Sequence, residues 1–558
     1  LLGWQSDGDN GQNFNLQNNG TVNIQTGTVR IGLAGTPAAS TGTFGVSGGA
    51  VLDYGSGSHT FTGVTQSGAG ALRLSGGAIT FTGASTATDL QLAGGTLTVS
   101  GGGTVGASNL AFSSGTLAGA GELSVTGASS SWSGGTLSGN LRVASGGTLA
   151  MNGGVKNIGN GSLTNQGTVV WSAGNIEQIN GSTAMMIENQ SGSLFDIQGD
   201  LTLGAGSISG NYDNTLTFVN QAGGELRRSA GTGTTLLGWQ SDGDNGQNFN
   251  LQNRGKFSIT TGTVSLNLGG FASGTNDGSV VIGSGTTLSI NGAPLTNSAS
   301  GTISGAGVLD LGAATLTNNG TISPGVGVGN TATLSITGNL DLTGGTLNID
   351  LGGTTPGQSD KVVVSGNVTM GGTINAAVTG GYAPVNADAV PFLAMGGSAT
   401  GTITPGIVPA GFSLGYNLAT GEASRLIYAL NGTRTFNNSQ GNMDWGTALN
   451  WTGGLPGAGD TALISGTYAV SHAYGNDSIA ALTISEANSL NVSGGTLNVS
   501  GLTTLGGSLS ISGSGAAILA GGASGAATGQ LTLSGGTLTL SAASLVSTYT
   551  QTGGLLNG

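Results

Sequence analysis

The amino-acid sequence predicts an all-β protein built as a right-handed parallel β-solenoid, or β-helix, that is interrupted by a β-rich connector containing proline. Three observations lead to this prediction. A short strand–turn–strand unit recurs along the chain, apolar and polar residues alternate within it, and the periodicity typical of helices is nearly absent. Glycine, at 113 of 558 residues, supplies the many turns that such short strands require.

The recurrent unit centres on the tetrapeptide Gly-Gly-Thr-Leu, which occurs at residues 94–97, 134–137, 146–149, 344–347, 494–497 and 535–538. Successive units are about 20 residues apart, which would give about 28 coils if each unit formed one coil. Around it apolar residues alternate with small polar ones, as in Leu97-Thr98-Val99. Strands of this kind stack coil on coil, with one face inside the solenoid and the other in solvent.

An antiparallel sandwich array is the other architecture that short strands and tight turns allow. Antiparallel hairpins favour Asn-Gly or Asp-Gly turns between strands of matched length, whereas this chain repeats one similar unit in tandem. We therefore expect stacked parallel coils, with polar neighbours such as Thr98 facing solvent. The leucines expected in the buried aliphatic stacks are Leu92, Leu97, Leu117, Leu137 and Leu149.

A long duplication and one break in the pattern divide the chain. Residues 1–18 recur without change as residues 236–253. Four of the nine prolines, Pro384, Pro391, Pro405 and Pro409, fall within 26 residues, and proline cannot donate to a central ladder. The predicted parts are a first solenoid module (1–235), a partial second copy with the coils that follow it (236–380), a β-rich connector or cap (381–435) and a second solenoid block (436–558).

A second recurrent unit places an asparagine before a turn glycine. Residues 16–22, 163–169 and 316–322 share this pattern, and looser versions contain Asn189, Asn220, Asn253 and Asn297. Stacked asparagines can form amide ladders. The interpretation that the sequence favours is ordinary turn chemistry, because asparagine tolerates left-handed backbone conformations and bonds its own turn.

The composition excludes several functional classes. Charged residues are 6% of the chain and the net charge is −13, which argues against binding to nucleic acid or anionic membranes. No apolar run approaches the roughly 20 residues of a membrane span, so we expect no membrane insertion. The absence of cysteine excludes disulfides and thiolate metal sites. The chain begins at Leu1 without a signal peptide, and we interpret it as a mature or excised part of a longer polypeptide.

A duplicated acidic loop is the candidate metal site, and no other cofactor is predicted. Aspartates two residues apart, followed by Asn and Gly, can supply oxygen ligands to Ca²⁺. The full EF-hand spacing fails, because Gly11 replaces one ligand and no glutamate closes the loop. A purely structural turn beside Trp4 is the alternative interpretation. The candidate ligands are Asp7 and Asp9 in the first copy and Asp242 and Asp244 in the second.

Two further groups of side chains are candidates for binding. The densest basic group consists of Arg227, Arg228, Arg254 and Lys256, and its favoured interpretation is a solvated edge flanking Glu225. Tryptophans surrounded by small polar residues could stack against sugars, although tryptophan more often packs against the flank of a solenoid. These tryptophans are Trp132, Trp171, Trp445 and Trp451.

The Gly-Gly-Thr-Leu units resemble the autotransporter-associated β-strand repeats of large Gram-negative surface proteins, which include autotransporters and filamentous-haemagglutinin-like exoproteins. Residues 316–325, with the sequence LTNNGTISPG, are similar to a phrase near the end of many passenger β-helices. As in those families, Asn348-Ile349-Asp350 and residues 359–364 follow it. Residues 445–460 resemble the opening of another such block. The resemblance implies an extracellular location on the cell surface of a Gram-negative bacterium.

We therefore expect a secreted, non-catalytic solenoid segment with a structural or adhesive role in a surface stalk or filament. Its expected partners are further copies of the chain, through self-association into filaments, and host or surface glycans or other cells. The alternative function is a polysaccharide-degrading β-helix enzyme, either a lyase or a glycoside hydrolase. A hydrolase needs two carboxylates about 5 to 10 Å apart. The sequence shows no His-Glu-x-x-His motif or P-loop, and His59 and His472 lie far apart in it.

Overall fold

The computed structural model of the protein describes residues 16–32, 38–179, 185–205, 214–238, 247–267, 274–384, 388–409, 411–417, 422–428 and 432–558. The fold is all-β, with 58% strand, and its stacked parallel coils form a β-solenoid of about 23 turns. Within the described residues the one helical element is a 3-10 turn at Ala448–Asn450. No helix there is long and apolar enough to cross a membrane. The predicted solenoid is confirmed.

The chain divides into two compact units. The first contains residues 1–349, 360–375 and 394–404, and the second contains residues 350–359, 376–393 and 405–558. In both units the coils are built from three short strands, each of which pairs in parallel with its equivalents in the coils before and after it.

The parallel pairing in the first part of the chain produces three stacks of strands. The first stack contains Thr21–Ile24, Thr43–Val46, Thr65–Ser67, Glu122–Val125, Asn140–Val143, Ser162–Asn165, Met185–Asn189, Asn214–Asn220, Gln247–Asn253, Gly274–Asn276, Leu295–Asn297, Val368–Thr369 and Ala399–Thr400. The second contains Thr28–Gly32, Val51–Ser56, Ala71–Leu74, Ser130–Trp132, Thr148–Met151, Thr168–Trp171, Leu194–Gln198, Glu225–Ala230, Lys256–Ile259, Ser279–Ile282, Thr302–Gly305, Thr321–Pro324 and Thr346–Leu351. The third contains Ser58–Phe61, Ala78–Phe81, Gly135–Leu137, Lys156–Ile158, Ile176–Gln178, Thr202–Ala205, Thr234–Gly238, Thr263–Asn267, Thr287–Ser289 and Lys361–Val364.

Four longer strands continue around the corners of a coil and so belong to more than one stack. Ala84–Val99 and Thr104–Ala118 contribute to all three stacks, whereas Val308–Asn318 and Thr333–Asp341 contribute to the first and third. The remaining strands before residue 432 are Thr373–Val378, Ala389–Met395, Thr404–Pro405, Phe412–Asn417 and Glu422–Tyr428. The last two form an antiparallel hairpin, which distinguishes the predicted connector from the parallel coils.

The second unit contains its own stacks of parallel strands. One consists of Thr433–Thr435, Thr461–Ile464, Ala481–Ile484 and Thr503–Leu505, and another consists of Ala469–His472, Ser489–Val492 and Ser508–Ile511. Both continue into Ala523–Leu533 and Leu545–Gln551. The third consists of Asn476–Ile479, Thr496–Val499, Ala516–Leu519, Thr537–Leu540 and Leu555–Asn557.

Apolar side chains at alternate strand positions form the core, as the period-2 pattern predicts. Leu97, Leu117 and Leu137 lie directly above one another in register, and all three are buried. Leu92 and Leu149 are buried as well. The prediction for Thr98 is only partly right, because it is half-buried rather than fully exposed. Thr80 and Ala118 pair with it in the neighbouring coils, which lie about 4.8 Å away and cover its flanks.

Seven buried asparagines form a ladder of side-chain amides along one edge of the first stack. Each rung is a hydrogen bond from the Nδ2 atom of one asparagine to the Oδ1 atom of the next, with N–O distances from 2.7 to 2.9 Å. This amide ladder consists of Asn165, Asn189, Asn220, Asn253, Asn276, Asn297 and Asn318.

The amide ladder corrects the interpretation of these asparagines as turn residues alone. Asn165 does make the expected turn bond, since its Oδ1 atom accepts the backbone N–H of Gly167 at 3.1 Å. Asn18 makes the same turn bond with Gly20, at 3.0 Å. The inter-coil bonds are the additional feature, and they satisfy amide groups that would be costly to bury unpaired.

Coil length varies more than the repeat spacing predicts. Consecutive members of the amide ladder are 21 residues apart between Asn276 and Asn297, but 33 residues apart between Asn220 and Asn253. The longer coils explain why the chain forms about 23 turns rather than about 28. The extra residues lie between strands, so the strand register is maintained.

Candidate functional site

The predicted calcium ligands Asp7, Asp9, Asp242 and Asp244 all lie outside the described residues. Among the residues that the structure does describe, no group of three or more His, Asp or Glu side chains is placed to hold a metal ion. The calcium site therefore stays a prediction from the sequence.

The four candidate sugar-stacking tryptophans are in the core. Trp132, Trp171 and Trp445 are fully buried, and Trp451 is 3% exposed. The Nε1–H groups of Trp132 and Trp171 donate to the carbonyl oxygens of nearby turn glycines, at 3.0 and 2.7 Å. The indoles of Trp132 and Trp171 thus fill the solenoid with their polar atoms hydrogen-bonded. None of the four tryptophan rings is exposed to a ligand.

The basic group at Arg227, Arg228, Arg254 and Lys256 is not a uniform solvated edge, because Arg228 is fully buried. Its guanidinium donates to the carbonyl oxygens of Gly199, Thr261 and Gly233, at 2.6, 3.0 and 3.1 Å. It also pairs with Asp200 at 2.6 Å. A planar guanidinium with five donors can satisfy several turns at once, so the coil turns close around it. Arg228 is therefore structural.

The other three basic residues extend outward and form, with their acidic partners, a charged flank. This charged flank consists of Glu188, Asp196, Glu225, Arg227, Arg254 and Lys256. Arg227 binds Asp196 through two hydrogen bonds, at 2.9 and 3.1 Å. Lys256 pairs with Glu225 at 3.0 Å. Arg254, in contrast, donates to the neutral side chains of Gln252 and Gln221, at 3.0 and 3.5 Å.

Two acidic members of the charged flank, Glu225 and Asp196, are held in their ionised form. Partial burial alone would raise the pKa of Glu225, but hydrogen bonds from Ser258 and Lys256 outweigh it and lower this pKa below its usual value. Arg227 lowers the pKa of Asp196 in the same way, again against the effect of burial. Both side chains are therefore hydrogen-bond acceptors at neutral pH.

An open groove of about 450 Å³ runs along part of the charged flank. Two carboxylates, Glu225 and Asp277, and two cations, Arg254 and Lys256, line it. The hydroxyls of Ser279, Ser300 and Thr302 complete the polar lining. Gly255 forms part of the floor, where a Cβ atom would collide with the carbonyl oxygens of the preceding turn. The groove can therefore accept a polar ligand that has many hydroxyl groups.

The carboxylates of this groove do not have the arrangement of a retaining glycosidase. Glu225 pairs in register with Lys256, which pairs with Ser279, so the turns of Glu225 and Asp277 are two coils apart. Two coils span roughly 10 Å, which is wider than the spacing of about 5 Å in a retaining pair and close to the roughly 6.5 to 9.5 Å of an inverting pair. A general acid also needs a raised pKa, and the pKa of Glu225 is lowered.

A polar and aromatic cluster at the start of the second solenoid block was not found from the sequence. Its exposed member is Tyr474, whose hydroxyl donates to the Oδ2 atom of Asp444 at 2.6 Å. The ring of His472, two residues before Tyr474, is buried and lies near Trp445, with ring centroids 5.8 Å apart. Trp445 packs in turn on Trp451, at 4.7 Å. No motif links these residues, because turns separated in sequence bring them together.

His472 is held as an imidazolium by its two partners. Its Nε2 atom lies 2.8 Å from the Asp477 carboxylate and its Nδ1 atom lies 3.0 Å from the carbonyl oxygen of Gly494. Both partners are acceptors, so both ring nitrogens must carry a proton to satisfy them. Burial alone would lower the pKa of His472, but these bonds outweigh it and raise the pKa above its usual value of about 6.5.

Loss of the proton from His472 should make the second unit less stable as the pH rises. Because the pKa is raised on folding, the stabilising contribution is full below about pH 6.5 and is lost as the pH rises through the folded-state pKa. Hydrogen exchange of the amides in Ala469–His472 and Ser489–Val492, measured from about pH 6 to about pH 9, would report the free energy of opening.

The matched variant for this measurement is His472→Gln, which should remove the pH dependence from these strands. His59 provides a contrast, because burial lowers its pKa and the sign of its contribution is opposite. A wild-type free energy of opening that does not change with pH, after correction for intrinsic exchange, would show that the imidazolium contributes nothing.

Comparisons with known proteins identify no relative for this chain: no protein-family model matches it, and no curated protein matches it. Any statement of function therefore rests on the parallel β-solenoid, the amide ladder and the groove on the charged flank.

Proposed function

We propose that the chain is a non-catalytic, extracellular structural or adhesive segment of a cell-surface stalk or filament on a Gram-negative bacterium, similar to the passenger region of an autotransporter or a filamentous-haemagglutinin-like protein. The parallel β-solenoid of about 23 turns is compatible with such a stalk. The observation that carries the proposal is the pairing of successive coils within each unit through backbone ladders, reinforced in the first unit by the amide ladder.

The physical argument concerns how such a fold bears load. Each strand of a coil is hydrogen-bonded to the strands of both neighbouring coils, so a force applied along a stack is shared by three ladders at once. The amide ladder adds a fourth row of bonds inside the first stack. This construction gives stiffness without disulfides, which the chain cannot form because it has no cysteine.

The adhesive part of the proposal is supported by the groove on the charged flank. Its mixed carboxylates, cations and hydroxyls can donate to and accept from the hydroxyl groups of a surface glycan. Beads coated with the full chain should stay attached to glycan-coated surfaces or intact cells under shear flow. Beads coated with the heat-denatured chain are the control, and equal detachment of both would contradict an adhesive role.

The same preparation tests the alternative, a polysaccharide-degrading enzyme. Neutral and acidic polysaccharides incubated with the full chain should release neither new reducing ends nor unsaturated uronates. Release of either product, absent from a denatured control, would overturn the non-catalytic proposal.

Self-association is the remaining part of the proposal. The last strands expose the apolar side chains of Leu545, Leu555 and Leu556, which a further coil from the same polypeptide or from a second copy would cover. Sedimentation velocity of the chain at increasing concentration would distinguish these arrangements. Concentration-dependent growth supports filaments of separate copies, whereas a monomer at all concentrations contradicts them.

A further inference from the structure

The exposed ring of Tyr474 is held in one orientation. Tyr474 is 59% exposed, yet its hydroxyl is fixed by the 2.6 Å bond to Asp444. Asp444 is itself oriented by a second donor, the hydroxyl of Thr447, at 2.8 Å on the same Oδ2 atom. An exposed aromatic side chain that is fixed in this way loses little conformational freedom when it binds a ligand.

A glycine seats the ring against the backbone. A Cβ atom at Gly446 would lie 2.8 to 3.0 Å from three atoms of the Tyr474 side chain, closer than real Cβ contacts. The ring therefore packs directly on the glycine backbone. The seat contacts the ring at Cε2, Cζ and the hydroxyl oxygen, and the hydrogen bond fixes the same hydroxyl, so the polar end of the ring is held in place and its exposed surface forms a platform.

Hydrogen-bonding groups surround this platform. Both bonds to the Asp444 carboxylate go to Oδ2, and among the described residues none is made to its Oδ1 atom. The bond to Asp444 raises the pKa of Tyr474 to about 12, so the phenol remains a donor to Asp444 at physiological pH. Asn442 is exposed next to Asp444 and donates through Nδ2 to Thr447, at 3.0 Å. The Oδ1 atom of Asp444 is thus an acceptor for a hydroxyl proton beside the ring.

Among the described residues, the net charge near the platform is negative, because the carboxylates of Asp477 and Asp444 outnumber the one cation, the buried imidazolium of His472, which pairs with Asp477 at 2.8 Å. Asp477 lies three residues beyond Tyr474 and is 19% exposed, and Asp444 lies at the ring hydroxyl. The basic residue Arg434 of the same unit is buried in a pair with Asp460, at 3.2 Å. An anionic sugar would be repelled here, whereas a neutral pyranose presents an apolar C–H face to the ring and hydroxyl donors to the carboxylate.

We propose that Tyr474, seated on Gly446 and fixed by Asp444, is a stacking platform for a neutral pyranose unit of a surface polysaccharide. The inference names a ligand class for the proposed adhesive role and rests on that role. It also relocates the aromatic sugar contact from the four tryptophans, which are buried, to a tyrosine.

Titration calorimetry of the full chain with neutral hexasaccharides of glucose, mannose and galactose tests this proposal. At least one of them should bind, and Tyr474→Ala should weaken its binding by at least about 10-fold. Tyr474→Phe keeps the ring but frees it from Asp444, so its affinity should lie between those of the wild type and Tyr474→Ala. An oligogalacturonate should bind more weakly than the best neutral sugar.

The matched control is Tyr549→Ala, since the side chain of Tyr549 is also exposed, at 40%. It should bind the sugar as the wild type does. Circular dichroism confirms that each variant is folded. Absence of binding to every neutral hexasaccharide, or equal affinity of Tyr474→Ala and the wild type, overturns the platform.

The bead-adhesion experiment separates the failure of this inference from the failure of the proposed function. If Tyr474→Ala beads adhere as the wild type does, the adhesive role stands and the platform at Tyr474 is wrong. If wild-type beads adhere to nothing, the adhesive role itself is wrong.

Discussion

Replacing Leu97 with aspartate should destabilise the first unit by more than about 4 kcal/mol, because it buries a charge without a partner. Leu97 is fully buried, and its neighbours in register are Ile79 and Leu117, which are also buried. The described residues aligned with Leu97 in the neighbouring coils are aliphatic, so none of them can pair with the new carboxylate. Urea unfolding followed by circular dichroism, with limited proteolysis of residues 84–118, would measure the effect.

The control for Leu97→Asp is Thr98→Asp, one residue later. Thr98 is half-buried and faces outward, so its carboxylate would remain hydrated and should cost less than about 1 kcal/mol. A Thr98→Asp variant that is as unstable as Leu97→Asp, or less stable than it, would show that the inward and outward positions have been assigned wrongly. A shift of one residue exchanges the two faces of a strand and would reverse the order of the two variants.

Replacing Asn220 with alanine should cost about 3 kcal/mol, because it removes an interior member of the amide ladder. Asn220 accepts from Asn189 at 2.9 Å and donates to Asn253 at 2.8 Å, and all three are buried. It also donates to the carbonyl oxygen of Lys256 at 3.0 Å. The substitution therefore leaves an amide donor and two oxygen acceptors with fewer partners in a site closed to water.

Asn319→Ala is the matched control for Asn220→Ala. Asn319 follows the last member of the amide ladder directly in sequence but is exposed, so its loss should cost less than about 0.5 kcal/mol. Unfolding free energies of the two variants, together with hydrogen exchange of Asn214–Asn220, would test the difference. Equal stability of the two variants would mean that the ladder bonds contribute no net stability over hydration of the separate amides.

The fold could be predicted from the sequence because its determinants are local. Alternation with a period of two identifies the buried face of each strand, as for Leu97 and Leu117, and the recurrent glycine pairs mark the turns. The four clustered prolines precede the antiparallel hairpin of Phe412–Asn417 and Glu422–Tyr428, and the predicted bounds of the connector stay a prediction.

The site could be predicted much less well, because its contacts join distant parts of the chain. Whether Asn189 meets Asn220 depends on a register across 31 residues, which a turn signal at either position does not contain. Arg228 appears as part of a basic edge until carbonyl groups from turns 29 and 33 residues away surround it. Tyr474 depends on Asp444, 30 residues earlier. In each case tertiary packing determines the role of a side chain.

The amide ladder keeps the same bond lengths whether 21 or 33 residues separate its members, so alignment of the coils does not depend on the length of the segments between strands. The cost of lengthening such a segment grows only slowly, by about 0.6 kcal/mol for each doubling. Insertions between strands should therefore leave the stacked strands undisturbed. A lineage carrying this chain can diversify what its coils present to the outside without re-evolving the coils, and a foreign peptide can be grafted between Asn189 and Asn220 by the same logic.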